Sequence, residues 1–223
     1  MPQLATSTPL CSYLPMPRYK LIIFDFDGTL ADSAAWMIRK FNEIAQQFAM
    51  RAVTEAEIDM LRGRSNREIV QYLGVPMWKV PRIAAEMRRR VAAEAEQIYV
   101  FDGLTQMLDA LRAAGIRIAI VSSNSESNIR RILRENTAFV DDFECGASLF
   151  GKARKLRLVV ERSGLQSGDT LCIGDETRDI EAAREAGIAS GAVSWGYAKR
   201  EALASFSPTL MFDSMNDIAM LAK

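Results

Sequence analysis

Two aspartates, Asp25 and Asp27, stand either side of Phe26 at the end of the apolar run Leu21-Ile22-Ile23-Phe24, and Gly28, Thr29 and Leu30 follow. An apolar run that stops abruptly at acids and Gly predicts a buried strand whose carboxyl end opens into a polar turn. Residues two apart in an extended chain face the same side, so both carboxylates can converge on one centre. Two like charges so placed need a cation. Taken alone, the stretch fits a solvated Asp-Gly turn equally well. Three later stretches have the same form, an apolar run or its exit followed by polar residues. Ser122-Ser123-Asn124 leaves the run Ile116–Val121 and enters a helix, which either caps that helix or sets hydroxyls and free amides where an anion binds. Gly174-Asp175-Glu176-Thr177-Arg178-Asp179 again delivers acids at a strand end. Such acids suit the positive end of the next helix as well as a metal, Asp179 above all. Gly151-Lys152-Ala153-Arg154-Lys155 puts cations at a helix start, where the dipole disfavours them unless they are solvated or held for an anion.

The rest of the chain limits the chemistry these residues can do. It contains no histidine, which removes imidazole-driven nucleophiles, His-ligated zinc and His general bases. Acid and base work must fall to carboxylates, lysine or hydroxyls. Lys plus Arg and Asp plus Glu both number 28, so no global field draws in nucleic acid or a membrane surface, and neither is an expected partner. The 49% hydrophobic and 25% charged content over 223 residues is that of a globular chain with a sizeable core. No secretory pattern opens the sequence, and no apolar run approaches the roughly 20 residues of a membrane span. Cys11, Cys145 and Cys172 are odd in number and lack CxxC spacing, which fits a reducing compartment, so a cytoplasmic location is expected.

Positioning the candidate residues requires strands that end on one edge. Residues 1–17 mix Pro, Ser and Thr without period and are expected to form a flexible tail, with Met16 an alternative start to Met1. From Ser33 to about Ile98 the pattern is helical throughout. Trp36, Ile38, Phe41, Ile44, Ala45 and Phe48 share one face, Thr54 with Glu57 and Ser65 with Glu68 fit capping boxes, and Pro81 falls in the first turn of a longer helix. Thereafter strands and helices alternate: helix 104–113, strand 116–121, a helix to about 134, a weak strand 143–145, helix 152–163, strand 170–174, helix 177–186, strand 188–194, strand 210–212 and a helix from Ser214. This alternation predicts an α/β fold, a Rossmann-like, mostly parallel sheet with helices on both faces. The core domain is expected over 18–32 and 99–223, with a small all-helical insertion over 33–98. Within that insertion Arg62, Gly63, Arg64 and Arg67 form a basic turn that either reaches over the site or is solvated, whereas Arg88, Arg89 and Arg90 fit a solvated face better.

The four stretches, in this order and spacing, resemble the four motifs of the haloacid dehalogenase-like hydrolase superfamily over nearly everything after Arg18, and the phosphoglycolate phosphatase-like branch with a helical C1-type cap is the nearest match. The resemblance implies a Mg²⁺-dependent phosphatase of a small phosphorylated metabolite, with phosphoglycolate a candidate. It implies Asp25 as the nucleophile that forms an aspartyl-phosphate, Asp27 as acid and base, and Ser122 and Lys152 as the groups that hold and neutralise the phosphoryl group. Asp25, Asp175 and Asp27 through its carbonyl would hold Mg²⁺, with Asp179 in support. Thr29, Ser123 and Asn124 would assist in substrate binding, and Arg62 and Arg64 would meet its far end. The family's lysine is often followed by Pro; here Ala153 follows Lys152, and Lys155 lies one turn on, so Lys155 stays a rival. A phosphosugar mutase of the same superfamily and a non-catalytic binding or regulatory protein are the alternatives; the intact Asp25, Asp27 and Asp175 argue against the second. Substrate identity and oligomeric state stay open.

Overall fold

A computed structural model describes residues 18–48, 50–64, 66–146 and 151–223. The expected tail, with Cys11 and Met16, lies outside the described residues, as does Ser65 of the second expected capping box.

The chain begins with β1 (Leu21–Phe24), then makes a tight turn into the two-residue β2 (Ala31–Asp32). Four helices follow, α1 (Ala34–Gln47), α2 (Glu55–Leu61), α3 (Asn66–Tyr72) and α4 (Val80–Glu94), before the chain returns through β3 (Tyr99–Val100). The remainder alternates as α5 (Leu104–Ala113), β4 (Arg117–Val121), α6 (Glu126–Leu133), β5 (Asp142–Glu144), α7 (Lys152–Ser163), β6 (Thr170–Gly174), α8 (Thr177–Ala186), β7 (Ala189–Val193), α9 (Arg200–Ser205), β8 (Leu210–Phe212) and α10 (Met215–Ala219).

Six strands form one sheet in the order β5-β4-β1-β6-β7-β8, with every pairing parallel. From β1 the chain passes first to β4 and β5 on one side and later to β6, β7 and β8 on the other. The carboxyl end of β1 is therefore the switch point where an open α/β sheet leaves a crevice. Alternation along β1 builds both layers. Ile22 and Phe24 join Leu104, Leu108 and Leu111 of α5 and Ile218 of α10 on one face. Leu21 and Ile23 join Ala119, Cys172, Leu156 and Val159 of α7 and Ala183 of α8 on the other. Each residue of β1 is 2% exposed or less, so its two-residue period positions Asp25 without any side chain of β1 reaching water.

The helical block has a core of its own around Ile44, Leu73, Val75, Val80 and Ile83. Its base is different: Trp36, Val91, Ala95 and Ile98 pack into the main core. The stem is the antiparallel pair β2–β3, with Ala31 opposite Val100 and Asp32 opposite Tyr99. Thr54 and Glu57 form the expected capping box of α2, and Pro81 sits in the first turn of α4. The short β2–β3 pair and α9 carry no strong period and are additions to the sequence reading. No helix among the described residues is long and apolar enough to cross a membrane.

Candidate active site

Asp25 is the first residue beyond β1, yet its N–H still bonds the Ile173 carbonyl at 2.8 Å, which holds it in line with the sheet. Its carboxylate is 4% exposed and lies 3.1 Å from the Lys152 ammonium. The chain then turns through Gly28 at φ +81, where a Cβ would stand 2.3 Å from a carboxylate oxygen of Asp175. Only glycine fits both that backbone angle and that approach. The turn also fixes Asp27: Asn124 Nδ2 donates to its Oδ2 at 3.3 Å, while Oδ1 is buried without a hydrogen-bond partner. Burial and the adjacent Asp25 charge push the Asp27 carboxyl up to about 6. Two acids two residues apart thus have different surroundings, one paired with a lysine and one able to carry a proton near neutrality.

Asp175, at the end of β6, is fully buried and is oriented from both sides. Thr29 Oγ1 donates to Oδ1 and the Tyr197 N–H to Oδ2, each at 2.8 Å. Burial, Glu176, Asp179 and Asp25 raise its pKa well above the ordinary carboxylate value. Asp179, in the first turn of α8, accepts Lys152 at 2.6 Å and the Glu176 N–H at 3.0 Å. Burial raises its pKa, but Lys152 and Arg178 outweigh burial and hold it below the usual value. A Cβ on Gly174 would lie 2.2 Å from the Asp179 carboxylate, so that glycine lets the acid fold back under the strand end. Oxygens of Asp25, Asp175 and Asp179 all lie within 4.8 Å of one another. Three buried carboxylates, two of which raise the charging cost of Asp175, form an all-oxygen donor set that fits a hard divalent cation such as Mg²⁺. The Asp27 side chain is not in this group, so any ligand from Asp27 is its carbonyl.

A cleft of about 230 Å³ opens beside Asp25, lined also by Ser122, Ser123, Lys152, Arg178 and Glu181 among others. The α6 N-terminus is capped by Ser125, whose side chain accepts the Asn128 N–H. Ser122 therefore lies outside the cap and faces the cleft. The two lysines are separated by geometry. Lys152 bonds Asp25 and Asp179, whereas the Lys155 ammonium donates to the carbonyls of Ser122, Glu144 and Gly146 and ties strand ends together.

Four expected substrate contacts are placed elsewhere. Thr29 is fully buried and its hydroxyl is committed to Asp175, so it orients that acid rather than a substrate. Asn124 has both ends of its amide engaged, Nδ2 on Asp27 and Oδ1 on the Ser125 N–H and Asn128; it orients Asp27. Arg62 donates to the carbonyls of Tyr197 and Gly196 at 3.0 and 3.1 Å and joins the helical block to the core. Arg64 lies on Met60 and over the Tyr72 ring, inside the block. In both arginines the guanidinium has found partners nearer than the cleft.

Two residues at the site carried no separate role in the sequence reading. Tyr197 supplies the N–H to Asp175, and its hydroxyl meets Ser33 at 2.9 Å. The signal was available in Ser194-Trp195-Gly196-Tyr197, which leaves β7 on the edge where the acids gather. Arg178 was written inside the acidic stretch itself and faces the cleft.

A family model described as haloacid dehalogenase-like hydrolase matches residues 22–193. Phosphoglycolate phosphatase of Synechococcus elongatus is 33% identical over 199 residues, which span 88% of this chain and 94% of that protein. The tyrosine-protein kinase PtkA of Mycobacterium tuberculosis is 29% identical over 206 residues, 86% of this chain and 68% of that one. A haloacid dehalogenase-like family hydrolase of Streptococcus pneumoniae superposes with a TM-score of 0.78 at 19% identity, covering 93% of this chain and all of the other.

Proposed function

This chain belongs to the haloacid dehalogenase-like hydrolases and is a phosphoric monoester hydrolase of that family, and on that footing we propose that it hydrolyses a small phosphorylated metabolite, 2-phosphoglycolate foremost, with Mg²⁺ and through an aspartyl-phosphate on Asp25. The observation that carries the reading is the division between Asp25, paired with Lys152 at 3.1 Å, and Asp27, lifted to about 6 by burial and by Asp25. Nucleophile and acid are thereby separate groups 2 positions apart on one turn.

Asp25 attacks phosphorus, forming a carboxylate O–P bond as the bond to the leaving oxygen breaks. The Asp27 proton goes to that oxygen, which departs as an alcohol. Asp27, now a carboxylate, takes a proton from water as the water attacks phosphorus. The O–P bond to Asp25 breaks and phosphate leaves. Ser122 hydrogen-bonds the transferred group, and Lys152 neutralises it. Asp25, Asp175 and the Asp27 carbonyl would hold Mg²⁺ with Asp179 behind them, and the ion would supply charge neutralisation between nucleophile and substrate. Asn124 and Thr29 hold Asp27 and Asp175 in place, and the helical block, acting as a cap, excludes water during transfer.

The test is phosphate release over a panel of phosphometabolites that includes 2-phosphoglycolate, with EDTA and after Mg²⁺ is restored. Release that stops with EDTA and returns with Mg²⁺ supports the reading. Release indifferent to EDTA, or none from any member, contradicts it.

A further inference from the structure

Arg178 is the one cleft-lining cation at this site to which no task has been given. It stands second in α8, where the helix dipole opposes a positive charge unless something anionic faces it. Among the described residues its guanidinium donates from Nη2 to Glu176 at 2.9 Å, and its Nε is buried with no partner there. A guanidinium has five N–H donors, so most of this one's capacity is in reserve. The side chain is 33% exposed and opens on the cleft that Asp25, Ser122 and Lys152 line. Lys152 has no such reserve of reach, since it lies between Asp25 and Asp179 at 3.1 and 2.6 Å. A phosphoryl group brings several anionic oxygens into this space, more than one ammonium already held by two carboxylates can serve. The planar fork of arginine suits two of them together.

We propose that Arg178 is a second cationic ligand of the phosphoryl group, donating from Nε and an Nη to its oxygens while Lys152 neutralises the side next to Asp25. This rests on the reading of the cleft as a phosphoryl site and adds the residue that grips the group's outer edge. In the free protein Glu176 keeps the guanidinium near the cleft; when phosphate arrives, the buried Nε gains the partner it lacks.

The experiment measures binding of inorganic phosphate to the whole protein in Mg²⁺ by calorimetry, beside KM and kcat for the best substrate of the panel. Arg178→Gln should weaken phosphate binding by about 10- to 100-fold, the range of a lost charge-assisted hydrogen bond, and should raise KM. Arg178→Lys should recover part of the affinity. A Gln variant that melts lower yet binds phosphate as tightly as wild type would make Arg178 a structural partner of Glu176 and overturn the inference. If the Gln variant does not fold, a crystal structure of the wild-type protein with inorganic phosphate decides: a guanidinium nitrogen within hydrogen-bond distance of phosphate supports it, and Arg178 held on Glu176 alone overturns it. Failure of the wild-type protein to release phosphate from any substrate is a separate result and overturns the functional reading instead.

Discussion

Asp27 is the residue whose surroundings most constrain the chemistry. One oxygen accepts from Asn124, which favours the carboxylate, and the other is buried without a partner among the described residues; burial and Asp25 outweigh that bond and lift the carboxyl to about 6, which suits a group that must give up its proton and recover it. Asp27→Asn keeps the backbone carbonyl expected to face Mg²⁺. It should therefore leave Mg²⁺ affinity nearly unchanged while slowing turnover by about 100-fold or more, the usual worth of a positioned acid and base. Calorimetry with Mg²⁺ and steady-state rates on the same sample check this; lost metal binding would make the side chain a ligand. Asp25, Asp27, Ser122, Lys152, Asp175 and Asp179 stand out in the sequence because each follows a strand or starts a helix, where type and position together limit the chemistry, and the structure brings them to one end of the sheet. Thr29 and Asn124 were legible as neighbours but not in their tasks. Nothing in sequence spacing says that Thr29 turns back to an acid 146 positions away.

Among the described residues the helical block meets the core through the β2–β3 stem, through α6, whose Asn128 and Arg131 donate to the carbonyls of Arg88 and Ala92, and through a latch on the loop that follows β7. Arg62 holds the carbonyls of Gly196 and Tyr197, the Lys199 N–H returns to the Arg62 carbonyl at 2.8 Å, and Lys199 pairs with Asp59. The same loop gives Asp175 its N–H from Tyr197, so docking of the block and orientation of a metal-site acid share one segment. Arg62→Ala should therefore loosen the block, with amide exchange over residues 33–98 rising by up to about tenfold, the worth of roughly one net hydrogen bond. Arg64→Ala, whose partners lie within the block, should leave exchange at the β7 loop unchanged. Equal protection in wild type and Arg62→Ala would remove the latch. The basic turn was visible in the sequence, and so was its place after α2. Its target was not, because Gly196 and Tyr197 offer backbone carbonyls and leave no trace in residue type.

At the scale of the whole molecule, 28 basic and 28 acidic residues cancel, so on the proposed function capture of an anionic substrate would depend on the local cations Lys152 and Arg178 and on a bound metal rather than on a long-range field. The parallel sheet was legible from alternating strands and helices, but its strand order was not, because the apolar runs of β4 and β6 are buried as β1 is. The absence of histidine leaves carboxylates, lysine or hydroxyls for the chemistry, and the proposed function gives the covalent step to Asp25, which makes that step the central claim. It is tested most directly by mixing the protein with a ³²P-labelled phosphomonoester that it turns over, quenching in acid within a turnover, and locating the label after digestion. The account predicts acid-stable radiolabel on the peptide that contains Asp25 and none in Asp25→Asn, whose turnover should fall by at least about a thousandfold. Phosphate released with no label on protein, label on another residue, or an active Asp25→Asn would contradict it.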